Sequence, residues 1–245
     1  MHVFLFALVL QQAPAVHTGE DVVRAMHDRY AGKWYPTLSF VQHNTATHPD
    51  GAVEHSTWRE YARIPGRLRI DFMPDSGNGL LFAGDTEYVR QADTLAHAEA
   101  LIHPLMVLGF DVYAQPVAAT IAKLRALGID LSVVREDSWE GRPVYVVGAR
   151  AGDLRTRQFW IERERLVFVR LLEPGRRDTT RVNETRFESY RAVGPAWVSP
   201  RVEFLVDGRQ VWLEEYDAIV TGQPLADSLF ELKLPAGVKK LHPQR

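Results

Sequence analysis

Three histidines near the start of the chain, His43, His48 and His55, are the residue types most able to do chemistry, since imidazoles grouped on one face could ligate a metal or shuttle a proton. A two-residue turn at Asp50-Gly51 would place Pro49 opposite Ala52. His48 and His55 then become same-face diagonal neighbours roughly 7 Å apart, with His43 and Glu54 on the other face. Two imidazoles without a carboxylate make a poor metal site, so exposed hairpin histidines are expected and no metal site is assigned. Ser39, Ser56, Ser76, Ser132, Ser138, Ser189, Ser199 and Ser228 stand in no nucleophile elbow or Ser-x-x-Lys setting. Gly77-Asn78-Gly79 leads into no helix of the phosphate-binding kind. Glu214 and Glu215 alternate faces on a strand and cannot share one substrate bond. With no cysteine there is no thiolate nucleophile, disulfide or lipid-accepting thiol. No catalytic residue and no cofactor is assigned.

The elements that carry these residues read as mostly extended. Val22, Val23, Met26 and Tyr30 fall at helical spacing behind Thr18 as N-cap, with Glu20 and Asp21 in the first turn. Beyond Pro36, strands are expected over 37–47, 52–64 and 67–72, the second loop turning at Pro65-Gly66 so that Ile64 opposes Arg67. In that register Leu38, Phe40, Tyr61, Arg63, Leu68, Ile70 and Phe72 share one largely apolar face, and Glu60, Arg67, Arg69 and Asp71 the other. A pair at 79–83 and 87–91 follows. Two helices are expected at 96–110 and 115–127, then about seven more strands separated by turn dipeptides such as Asp207-Gly208. This is an α+β chain built on a single curved antiparallel sheet that forms an incomplete β-barrel.

At 245 residues with a formal net charge of −2, the chain is long enough for one large core and carries no field for nucleic acid. Val3 to Leu10 is too short to span a bilayer but suits a signal peptide, with Ala13-Pro14-Ala15 as cleavage triplet. Residues 1–15 are therefore expected to be removed on export, leaving 16–245 as one soluble periplasmic domain.

Three segments carry a family resemblance. Leu225 to Val238 has Asp227 and Phe230 in an Asp-x-x-Phe turn and then Pro235, Gly237 and Val238. Phe40-Val41-Gln42 follows the first helix, and Tyr61 to Asp71 carries Pro65-Gly66 into an Arg-rich strand. Together they resemble the LolA-like periplasmic lipoprotein carriers. That resemblance implies an incomplete barrel, helices over 96–127 as a lid, and a cavity lined by Leu38, Phe40, Tyr61, Leu68, Ile70 and Phe72 that holds acyl chains. Where those carriers place an arginine directly before the proline, this chain has Ile64, so the resemblance assigns the lid latch to Arg63. The function implied is a monomeric cell-envelope carrier or sensor of lipidated protein or other amphiphiles, working without catalysis beside membrane-associated donor or acceptor proteins. The alternative is a structural or protein-interaction β domain whose core is filled by its helices and which has no ligand cavity.

Overall fold

A computed structural model describes residues 16–232. Helix α1 (Gly19–Tyr30) begins as its sequence requires: the Thr18 hydroxyl accepts from the Asp21 amide, the Asp21 carboxylate accepts from the Thr18 amide, and Val22, Val23, Met26 and Tyr30 are buried. Six strands follow as a meander: β1 (Thr37–Thr47), β2 (Val53–Arg63), β3 (Arg67–Met73), β4 (Gly79–Ala83), β5 (Thr86–Gln91) and β6 (Thr94–Ala100). Helices α2 (Pro104–Gly109) and α3 (Val117–Ala126), joined through a 3-10 turn at Asp111–Tyr113, carry the chain across to β7 (Val134–Trp139). A second meander then runs back through β8 (Arg142–Val147), β9 (Gln158–Glu162), β10 (Val167–Pro174) and β11 (Val182–Glu188). After a separate hairpin, β12 (Arg191–Val193) and β13 (Ala196–Val198), the last strands are β14 (Arg201–Val206) and β15 (Arg209–Thr221).

Thirteen of these strands form one antiparallel sheet in the order β6-β5-β4-β3-β2-β1-β15-β14-β11-β10-β9-β8-β7. The two meanders meet at its centre, where β15 pairs with β1, and the outermost strands β6 and β7 do not pair with each other. The sheet is therefore an unclosed barrel with few helices, the architecture expected from the strand pattern. Helix α1 and the α2–α3 crossover bury against each other around Tyr113, which is 1% exposed, stacks on Trp34 at 3.8 Å and meets Tyr30 edge-on at 5.3 Å. Its hydroxyl accepts from the Phe168 amide, tying the crossover to β10.

Two sequence expectations fail for identifiable reasons. Residues 96–100 are not helical: Ala92 and Asp93 adopt positive φ and form a two-residue turn that folds β6 back on β5 as an edge strand, and α2 starts only at Pro104. The register of β2 is also shifted by one residue. Both flanking loops hold three residues, Pro49-Asp50-Gly51 and Ile64-Pro65-Gly66, and end on a glycine in the left-handed region, so His48 bonds to Ala52 and Arg63 pairs with Arg67. An odd loop in place of an even one reverses the facing of every β2 side chain. Because two slips in the same direction cancel, β1 and β3 keep their expected relation. Leu38, Phe40, Leu68, Ile70 and Phe72 share the inward face with Trp58, Glu60 and Ala62 of β2. Tyr61 and Arg63 lie on the opposite face, with Arg67 and Arg69.

Candidate ligand cavity

Between the inward face of the sheet and α2 lies a cavity of about 550 Å³. Its sheet wall includes Leu38, Phe40, Ala62, Leu68 and Ile70; the helical side contributes Leu105, Met106 and Phe110, and β11 and β14 contribute Phe187 and Phe204. Alternation places these residues. In β1, Leu38, Phe40, Gln42 and Asn44 are all buried while the residues between them are not. Of the expected lining residues, Leu38, Phe40, Leu68 and Ile70 reach the cavity. Phe72 shares their face but packs on Trp58, ring centroids 5.1 Å apart, and Tyr61 faces away.

The cavity wall is not purely apolar. Glu60 is 5% exposed and borders the cavity, and no protein donor among the described residues lies within hydrogen-bonding distance of its carboxyl. Burial, reinforced by the nearby Glu214 charge, pushes it well above the usual carboxylate range. Glu214 on β15 is pushed up to about 7 by burial, against hydrogen bonds that favour its ionised form. The Tyr216 hydroxyl donates to it at 2.6 Å and the Trp212 indole N–H at 3.1 Å. Glu214 is half-buried and borders the cavity. Beside these two groups, Gln42 donates to Asn44 at 2.6 Å and Tyr216 stacks on Phe40 at 4.2 Å. Sequence reasoning missed Glu60 because it hangs on the register of β2.

Several side chains tie the crossover helices to the rest of the fold. His103 caps α2 by accepting from the Met106 amide at 3.4 Å, and burial pushes its pKa down to about 4. Asp111 in the crossover accepts from the Gly66 amide at 2.9 Å, and burial raises its carboxyl to about 6. Lys123 on α3 pairs with Asp85 in the β4–β5 turn at 2.8 Å. The crossover is thus tied to the loop that contains Pro65, but through Asp111 and a backbone amide.

Arg63 holds something else. It donates to the Asp227 carboxylate at 2.6 Å and the Leu225 carbonyl at 2.7 Å, and its guanidinium lies 4.9 Å from the Phe230 ring centroid. Arg69 donates to the Leu229 carbonyl at 3.1 Å. Together they pin the Asp227–Phe230 turn to the outer face of the sheet. That turn is where the Asp-x-x-Phe element was expected; Pro235, Gly237 and Val238 lie outside the described residues, as does the 1–15 segment. An Arg63→Leu protein is expected to become cleavable by protease between Leu225 and Leu232 while amide exchange in α2 and α3 stays unchanged. Faster exchange in α2 with an intact C-terminal segment would instead return Arg63 to the lid.

The histidines form no site. His48 pairs with Glu54 at 3.4 Å, against the expected facing, and the corrected register puts His43 and His55 on the outer face, His43 against Asp217 at 3.0 Å. Among the described residues no group of three or more His, Cys, Asp or Glu is placed to hold a metal ion, and no helix is long and apolar enough to cross a membrane.

No protein-family model and no curated protein matches the sequence. Solved structures do match the fold. A DUF1329 family protein from Desulfovibrio piger superposes with a TM-score of 0.53 at 12% identity, over 87% of this chain and 95% of that one. A LolA superfamily protein from Nitrosomonas europaea gives 0.53 at 11% identity, over 85% and 97%. A Vibrio parahaemolyticus domain described as an outer membrane lipoprotein-sorting protein gives 0.56 at 10% identity, over 86% and 95%. With its open thirteen-stranded sheet and helical crossover, this chain has the LolA-like fold.

Proposed function

We propose that the protein is an exported carrier or sensor of the cell envelope that takes the apolar part of a lipidated protein or other amphiphile into the cavity between its sheet and α2, without chemistry. The single observation that carries this reading is the cavity of about 550 Å³ on the inward face of the sheet. Small-ligand sites span roughly 300–1,000 Å³ and are mostly apolar with a few placed polar groups, and the Leu38, Phe40, Leu68 and Ile70 wall fits that description. Each methylene buried there would contribute about 0.8 kcal/mol. Periplasmic residence after loss of residues 1–15, a monomeric state and hand-over between membrane-associated partners belong to the same reading, supported by a fold shared with lipoprotein-sorting domains.

The test is mass spectrometry of an organic extract from protein exported through its own leader and purified without detergent, followed by uptake of a fluorescent acyl ligand by the delipidated protein. Stoichiometric phospholipid or lipopeptide, or saturable uptake, is the expected result. A clean extract with no uptake by folded protein would leave a protein-interaction β domain as the better description.

A further inference from the structure

We propose that the cavity wall at Glu60 and Glu214 is a recognition subsite for a cationic nitrogen, so that the preferred cargo is an amphiphile placing an ammonium group beside its apolar body. This deepens the carrier reading and rests on it.

The geometry is that of a site with one partner missing. Strands β2 and β15 flank β1 at the centre of the sheet, and both Glu60 and Glu214 border the same cavity. Two other acids on the wall are matched by the protein: Glu184 accepts from Arg170 and Arg186 at 2.7 and 2.6 Å, and Glu173 pairs with Arg157 at 3.0 Å. Glu60 has no such cation within reach among the described residues, and the donors around Glu214, from Tyr216, Trp212 and Gln42, are all neutral. A buried carboxyl without a partner is costly, and the group that best offsets two of them is a positive charge with N–H donors. Hydroxyl or amide ligands would satisfy lone pairs but not charge. The surrounding surface suits a cation as well, because the aromatic side chains of Phe40, Trp58 and Tyr216 border the cavity. A fatty carboxylate, by contrast, would crowd a third carboxyl group beside these two.

The experiment titrates dodecylamine, dodecanol and dodecanoate, all below their micellar concentrations, against an uncharged fluorescent apolar probe bound to the full exported protein near neutral pH. Dodecylamine is expected to displace the probe about tenfold to a hundredfold more tightly than dodecanol, the range for a hydrogen bond to a buried charge, with dodecanoate the weakest. Glu60→Gln and Glu214→Gln should each remove most of that preference while dodecanol binds as before, which also shows that the variants are folded. Equal binding of amine and alcohol, or a preference that survives both substitutions, overturns the cationic subsite while leaving the carrier reading standing. Failure of the probe and all three ligands to bind overturns both.

Discussion

Glu184→Ala is expected to lower the unfolding free energy by about 3–5 kcal/mol, the cost of leaving a buried ion without its partner. Glu184 on β11 is 6% exposed and accepts from the Arg170 Nε at 2.7 Å and the Arg186 Nε at 2.6 Å. Burial pushes its carboxyl up, but hydrogen bonds and charge from both arginines outweigh that and hold it below its ordinary value. Arg170 is the vulnerable member. It is 7% exposed, and its guanidinium lies over the rings of Trp139 at 4.1 Å and Trp160 at 4.6 Å, so after the substitution it keeps two aromatic faces but no carboxylate. Cation–π contacts of about 0.5–2 kcal/mol offset only part of the loss. A paired Arg170→Leu, Glu184→Leu protein should recover much of the stability, since the most deeply buried charge goes with its partner and the more exposed Arg186 still has Glu203 at 4.0 Å. Urea denaturation followed by tryptophan fluorescence reads both. A Glu184→Ala midpoint close to that of the parent would mean that water already reaches Arg170.

How much of this was legible in the sequence follows from which signals are local. The N-cap at Thr18, the alternation of Leu38 and Phe40, and the turn dipeptides of the second meander act over a few residues, and the structure follows them. Loop parity is less visible. Asp50-Gly51 and Pro65-Gly66 look like two-residue turns, but in each case the preceding residue joins the loop and the glycine becomes its third, left-handed position. That single residue decides whether Glu60 or Tyr61 faces the cavity. The Ala92-Asp93 turn carries no glycine, so the alanines that follow it read as helix although they form an exposed edge strand. Pairing of β1 with β15, which brings Phe40 against Tyr216 and Glu214 into the same cavity as Glu60, spans most of the chain. No local pattern encodes it. The cavity's apolar wall was therefore largely foreseeable, whereas its acidic patch was not.

That patch sets the second large effect, a loss of stability as pH rises. In the unfolded chain Glu214 gives up its proton near pH 4.5, whereas in the fold burial keeps it protonated to about pH 7. The folded state therefore holds a proton that the unfolded state has released. The stability is fully present below the unfolded value and is lost as pH climbs through the folded one, by an amount on the order of 2–3 kcal/mol for this shift. Glu60, raised still further by burial and by Glu214, acts in the same direction. His103 works oppositely. Its folded pKa of about 4 lies below the unfolded value of 6.5, so its contribution is lost as pH falls between the two, and with it the cap of α2. Thermal unfolding compared at about pH 5 and about pH 8 should show the parent losing stability at the higher value and Glu214→Gln losing much less. An unaltered slope in that variant would mean that water in the cavity already solvates the carboxylate. Because the deficit above neutrality is a missing counter-charge, saturating dodecylamine should flatten the profile as the substitution does, which dodecanol cannot do.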